Sequence, residues 1–134
     1  MIEVRWYDDE RSIILYRIEG DWSVVDFFAL SGRIDRMIDT VDHMVDVIGV
    51  YHRANMPTGD FLRDAGEPPA RTRHRRRGKE IFVGMNYFLN AMAVTLQKTY
   101  PGIYDLALAP TIEEAHRRIL DLRQKRSQKS NLQE

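Results

Sequence analysis

Apolar and polar residues alternate along the first twenty positions of the chain. The apolar members occupy every second position at the start, namely Ile2, Val4 and Trp6. A second run at 12–19 is rich in β-branched and aromatic residues, and a polar segment at 8–11 separates the two runs. This arrangement is typical of two half-buried strands joined as an antiparallel hairpin.

A helical period begins directly after the predicted hairpin. Ser23 and Asp26 have the spacing of a capping box, and the apolar residues that follow recur every three to four positions. They predict a helix over residues 24–40, which Gly32 weakens locally by up to about 1 kcal/mol relative to alanine. The segment 44–51 is short and mostly apolar, which indicates a central strand that returns parallel to its predecessor.

The second half of the chain continues to alternate strands with helices. Its predicted elements are a strand at 80–83, a helix capped by Asn86, a strand at 104–109 and a final helix that opens on a capping box at Thr111 and Glu114. The full order is ββαβαβαβα. It predicts an α/β fold with a mixed central sheet of about five strands and helices packed against it.

Two segments carry little apolar periodicity. Residues 52–79 contain prolines and glycines at short intervals, and we expect them to be partly helical and the most mobile part of the fold. Residues 125–134 are polar and basic, and we expect a frayed or disordered tail. The remainder, 1–124, is short enough to form a single domain.

Composition argues against several classes of protein. The 134 residues carry no net charge and include no cysteine, which excludes disulfide frameworks, thiolate metal sites and cysteine nucleophiles. The four histidines show no metal-ligand spacing, no glycine-rich phosphate loop is present, and Asp42 and Asp46 fit a solvated strand edge or helix end. We therefore expect no catalytic site, no metal and no cofactor. Because neither a secretory signal nor a membrane-spanning apolar run is visible, we expect a cytoplasmic protein.

A basic cluster precedes the strand at 80–83. It consists of Arg71, Arg73, Arg75, Arg76 and Arg77. Clustered cations can contact phosphates, but no aromatic residue for base stacking lies among them, and the chain as a whole is neutral. These features argue against nucleic-acid binding and favour a solvated basic patch or a contact for an acidic protein.

The order and spacing of five local motifs resemble those of the STAS-like proteins. These are small bacterial relatives of the domain found in sulphate transporters and anti-sigma-factor antagonists. Together with the opening hairpin, the matching segments span about residues 1–122. They are Gly20-Asp21-Trp22, the strand entry at 41–48, Met56-Pro57-Thr58-Gly59, the stretch 81–86 and the helix start at 111–115.

The resemblance implies a regulatory position in the loop after the central strand. In the anti-sigma-factor antagonists, that loop carries a phosphorylatable serine beside a glycine, at the start of a helix that docks on a partner kinase. Thr58 and Gly59 occupy the corresponding place, although Pro57 replaces the usual aspartate and Pro68-Pro69 interrupts the following helix. Phosphorylation of Thr58 is therefore a hypothesis. The alternative is that Thr58 acts as a helix N-cap.

Two functions remain open at this point. The first is a non-catalytic regulatory domain that contacts another protein or a second copy of itself through a surface containing Asn55, Met56, Phe61 and Leu62. The alternative is a domain that binds a small molecule or lipid in an apolar pocket between sheet and helices. That pocket would be lined by Phe27, Phe28, Phe88 and Met92.

Overall fold

The computed structural model describes residues 1–64 and 73–133 of the chain. Five strands and four helical segments are present in this part. In chain order they are β1 (Ile2–Trp6), β2 (Ile13–Gly20), α1 (Val24–Ile38), β3 (Val45–Ala54), α2 (Phe61–Asp64), β4 (Arg77–Val83), α3 (Tyr87–Thr99), β5 (Leu106–Ala109) and α4 (Ile112–Gln133). The predicted α/β class and the mixed five-stranded sheet are confirmed.

The sheet has the strand order β1-β2-β3-β4-β5. β1 is antiparallel to β2, and each of the following pairs is parallel. Every parallel connection therefore moves one strand further in the same direction. Right-handed crossovers then place α1, α2 and α3 on one face of the sheet, which leaves the other face to α4.

The face covered by α1, α2 and α3, called the helix-rich face below, contains the larger apolar cluster. α1 contributes Val24, Phe27, Leu30, Ile34 and Ile38 to it. The predicted capping box is present, since the Asp26 backbone N–H donates to Ser23 Oγ at 3.3 Å and the Ser23 N–H donates to Asp26 Oδ2 at 3.0 Å. The cap fixes the residue at which α1 begins, and from that start these five residues face the sheet.

The opposite face, called the α4 face below, contains a smaller cluster. A row of paired residues crosses it from strand to strand: Leu15, Ile48, Ile81 and Ala107. Ala115 and Ile119 of α4 are fully buried against this cluster. Apolar contact with the sheet is thus concentrated in the first half of α4.

The structure differs from the sequence prediction in three places. β3 extends to Ala54, so residues 52–54 belong to the sheet. α4 continues to Gln133, whereas the sequence predicts a frayed or disordered tail from residue 125. Arg126 bonds to Asp46, and lysine, arginine and glutamine are good helix formers even without an apolar face.

Between β3 and β4, the described helical part is α2, whereas 77–79 belong to β4. The rest of the predicted partly helical segment includes residues 65–72, which lie outside the described part. No helix within residues 1–64 and 73–133 is long and apolar enough to cross a membrane.

Candidate functional site

The carboxyl ends of β2, β3 and β4 lie at one end of the sheet, where open α/β sheets commonly bind their ligands and partners. The loop after β3 is tied there to the start of α1. The Trp22 indole N–H donates to Asn55 O at 2.6 Å, and the Thr58 N–H donates to Trp22 O at 2.9 Å. The Asn55 amide also donates to Asp21 Oδ1 at 2.7 Å. Hydrogen bonds therefore hold this loop in a defined position.

An aromatic cluster lies beneath the loop. Trp22 is 3% exposed, and its rings lie 5.4 Å from Phe61 and 5.8 Å from Tyr51 between centroids. Phe61 is itself buried, so its assignment to the partner surface is wrong, because its ring completes the core under the loop. Asn55 and Met56 are exposed. The side chain of Leu62 lies outside the described part of the structure.

Thr58 is exposed at the edge of this loop, with its hydroxyl 3.4 Å from Trp22 O. Gly59 has φ of +83°, a left-handed conformation that favours glycine. Asp60, rather than Thr58, caps α2, because its Oδ1 accepts the Arg63 N–H at 3.2 Å. The N-cap alternative for Thr58 is therefore wrong.

Four exposed apolar side chains come from the three chain segments that meet at this end. They are Val25 (70% exposed), Met56 (46%), Tyr87 (79%) and Phe88 (65%), and together they are called the carboxyl-end surface below. Sequence periodicity placed Phe88 on the buried side of α3, which is wrong. The buried positions are Leu89, Ala93 and Leu96, a helical series that turns the neighbouring Phe88 outward.

Most described arginines of the basic cluster donate hydrogen bonds to other groups of the chain. Arg73 donates to the backbone carbonyls of Gly78 and Ile103, and Arg76 donates to Ile38 O at 3.2 Å. Arg77 binds side chains on the helix-rich face of the sheet. Arg75 is exposed, and Arg71 lies outside the described residues. Of the described arginines in this cluster, all but Arg75 therefore have a role in the fold.

A buried charged group occupies the helix-rich face near the amino end of β4. The Arg77 guanidinium bonds to Glu80, to Ser31 Oγ at 2.9 Å and to Asp35 at 3.4 Å. Burial raises the pKa of Asp35, and the nearby Arg77 opposes that rise only in part. Burial also raises the pKa of Tyr104 to about 12. Both residues border a cavity of 170 Å³.

The pocket that the sequence predicts from three phenylalanines and one methionine does not form as a single cavity. The cavity is lined by Phe27 and Phe28 but by neither of the other two candidates. Phe88 points into solvent, and Met92 packs against the apolar cluster of the helix-rich face. The sequence thus identified two of the lining residues, whereas the charged ones were missed because they come from distant elements.

Two buried tyrosines lie under the same face. The hydroxyls of Tyr16 and Tyr51 are 2.6 Å apart and share a hydrogen bond. Burial raises the pKa of both phenols, which keeps them protonated. Within the described residues, no group of three or more histidine or acidic side chains is placed to hold a metal ion.

No protein-family model, curated protein or solved structure matches this chain. The STAS-like resemblance consequently stays a prediction that rests on the motifs and on their order along the chain.

Proposed function

We propose that this chain is a non-catalytic, STAS-like interaction domain that binds another protein through the carboxyl-end surface. The observation that carries the proposal is the convergence of four exposed apolar side chains on one end of the sheet. Exposed acidic residues lie near them at the same end, namely Asp21, Asp26 and Asp60. An apolar patch with a polar surround is characteristic of protein contact sites.

Two aromatic rings supply the natural anchors of this surface. Tyr87 and Phe88 follow the Asn86 cap directly, and their rings pack edge to face with centroids 5.6 Å apart. Aromatic side chains are enriched in protein interfaces and contribute disproportionately to binding energy. Since both residues belong to the first turn of α3, their backbone is already helical before a partner binds.

Thr58 offers a route to regulation of the same contact. It is exposed and lies two residues after Met56, so a kinase could reach its hydroxyl. A phosphate would add about 1.5 to 2 negative charges beside an apolar contact and weaken it. This step depends on the STAS-like resemblance and is proposed together with it.

The contacts of His43, His74 and His116 support the proposed non-catalytic role. His74 bonds to Asp39 at 2.7 Å, His43 lies 3.0 Å from the Met44 carbonyl, and His116 packs on the Tyr7 ring. None of these contacts joins a histidine to a hydroxyl nucleophile, which is the arrangement that acyl transfer requires.

The proposal is tested by placing a photo-crosslinking amino acid at position 87 in cells that express the full chain. We expect a discrete protein adduct, which disappears when Phe88 and Met56 are changed to serine. Sedimentation velocity of the purified protein shows whether the partner is a second copy of this chain. Changes at exposed positions should alter stability by less than about 0.5 kcal/mol.

Leu120 provides the matched control. It is 49% exposed on α4, on the opposite face of the sheet. A crosslinker at position 120 should give no adduct, and Leu120→Ser should leave the adduct at position 87 intact. Equal crosslinking from both positions, or none from position 87 in a strictly monomeric protein, would refute the proposal.

A further inference from the structure

We propose that the cavity between α1 and the α3–β5 connection is a binding site for a small organic amine with an apolar body. This cavity is separate from the carboxyl-end surface, because it lies beside the amino ends of β4 and β5. Its floor is formed by Arg77 and Glu80 of β4. The proposal therefore goes beyond protein contact and assigns a ligand to the opposite end of the fold.

The size and walls of the cavity suit a single ring. Its volume is 170 Å³, close to the roughly 150 Å³ of an apolar cavity that accepts benzene. Phe27, Phe28, Ile103 and Tyr104 provide the apolar walls. Aromatic faces also attract organic cations, which adds to the burial of the ligand body.

Gly32 provides the space on the α1 side. Glycine within a helix is unfavourable relative to alanine, so its presence calls for a structural reason. A Cβ built at Gly32 would meet only Arg36 Nη1, at 3.5 Å, which is an ordinary contact. Core packing thus does not demand glycine here, and the missing side chain instead leaves the cavity open along α1.

The three lining carboxylates provide hydrogen-bond acceptors. Asp35 and Glu80 each use one oxygen to bind Arg77, and Asp105 uses one to bind Lys79 at 2.7 Å. The second oxygen of each receives no hydrogen bond from a described residue. A carboxylate oxygen accepts up to two hydrogen bonds, so the site has acceptor capacity to offer.

The two lining arginines, by contrast, are already engaged as donors. Arg73 donates to the backbone carbonyls of Arg77, Gly78 and Ile103. Arg77 donates to Ser31, Asp35 and Glu80. The arginines keep fewer unoccupied N–H groups than the carboxylates keep acceptor positions, and the lining has three carboxylates against two arginines. A cationic ligand that donates hydrogen bonds therefore suits the lining better than an anion.

Three single-ring probes of similar size test the charge preference directly: benzylamine, benzyl alcohol and benzoate. Titrations of the full chain by NMR should show saturable shifts of the Gly32, Ile103 and Tyr104 amides with benzylamine, with a Kd on the order of 1 mM for so small a ligand. Benzoate should bind at least about tenfold more weakly. Tighter binding of benzoate, or no saturable shift with benzylamine, would overturn the proposal.

Two substitutions locate the binding. Gly32→Leu directs a side chain into the cavity from α1, where its Cβ meets only Arg36 Nη1 at 3.5 Å, and should weaken benzylamine binding more than about tenfold. Asp35→Asn should weaken it about threefold to fivefold, whereas Asp39→Asn, at the C-cap of α1 and outside the cavity lining, should not change it. Unchanged affinity in both Gly32→Leu and Asp35→Asn would contradict the assignment, and the NMR mapping decides the question should either variant fail to fold.

Discussion

Each face of the sheet contains one buried carboxylate, Glu80 on the helix-rich face and Asp46 on the α4 face. Glu80 binds Arg77, three residues away in the same strand. Asp46 binds Arg123 and Arg126, which lie 77 and 80 residues further along the chain. One carboxylate therefore closes a local contact, and the other joins the end of the chain to the sheet.

The difference follows from how each face is covered. Three helices bury the helix-rich face by apolar contact, whereas α4 alone covers the other face and buries Ala115 and Ile119 there. From residue 123 to residue 130 α4 is polar, and Asp46 holds it through Arg123 Nε at 3.0 Å and Arg126 Nη2 at 3.1 Å. Ion pairs thus hold α4 to the sheet where its apolar face ends.

The largest effect should come from removing the anchor of α4. Asp46→Ala leaves Arg126 and the Lys79 N–H without their acceptor, since Asp46 Oδ1 also accepts that N–H at 2.7 Å, and it leaves Arg123 with Ser12 alone. We expect a loss of about 3 kcal/mol in the free energy of unfolding, measured by urea denaturation. Amide exchange in residues 123–133 should accelerate selectively.

Two other variants should lose less stability than Asp46→Ala. Asp42→Ala removes an exposed carboxylate four residues earlier and should change stability by less than about 0.5 kcal/mol. Glu80→Ala leaves Arg77 with Asp35 and Ser31, so its cost should be lower, at about 2 kcal/mol. A larger loss for Glu80→Ala than for Asp46→Ala would reverse the comparison between the faces.

One glycine makes room for a buried side chain on each face of the sheet. A Cβ at Gly78 would lie 2.1 Å from Asp46 Oδ1, and one at Gly49 would lie 2.3 Å from the Tyr16 ring. Each substitution to alanine should cost about 2 kcal/mol by overpacking, measured by thermal and urea denaturation. Gly49→Ala should act by displacing Tyr16 from its hydrogen bond with Tyr51.

Combination with Asp46→Ala separates the two glycines. Gly78→Ala should add little to Asp46→Ala, because the carboxylate that it clashes with is already gone. Gly49→Ala should add its full cost, since Tyr16 lies on the other face. Simple additivity in both double variants would show that Gly78 does not serve Asp46.

The smallest effects concern pH. Burial works against ionisation of Asp8, but hydrogen bonds from Ser12 and Ile13 outweigh it and hold the Asp8 pKa below the ordinary 3.8. The stability that Asp8 contributes is therefore present above pH 3.8 and is lost as the pH falls through the lowered pKa. Asp8→Asn should cost about 1 kcal/mol at neutral pH, and this deficit should shrink in acid.

Asp35 should show the opposite sign. Burial raises its pKa, so its ionisation costs stability at neutral pH, and that cost is relieved as the pH falls toward 3.8. The stability of Asp35→Asn relative to wild type should therefore decline on acidification. The change should stay below about 1 kcal/mol because solvent screens this half-exposed group. Urea denaturation of Asp8→Asn and Asp35→Asn from pH 7 to pH 3 checks both predictions. If the stability difference from wild type changed in the same direction with pH for both variants, the assigned pKa shifts would be contradicted.

The elements that sequence predicted well are those whose causes are local. The hairpin, the parallel return of β3 and the capping box at Ser23 and Asp26 were all correct, since each depends on residues a few positions apart. At the final helix the Glu114 N–H does donate to Thr111 Oγ1, at 3.1 Å. The Glu114 side chain turns instead to Arg117 and Arg118, a choice that cap spacing does not reveal.

The candidate functional regions were predicted less well because solvent exposure depends on packing. Phe61 and Phe88 are both aromatic residues near a helix start, yet one is 5% exposed and the other 65%. Met56 was correctly placed on an exposed loop. The cavity at Gly32 was not foreseen, because its walls come from α1, β4 and the segment before β5.

By itself, the sequence determined the order of the elements and the α/β class, because periodicity and capping act over a few residues. Tertiary structure alone decided which carboxylate each arginine binds and which aromatic rings remain exposed. Asp46 reads as an ordinary solvated residue until the crossovers leave one face to α4, and only that packing brings Arg123 beside it. Contacts over such distances depend on the whole fold, and a local pattern carries no record of them.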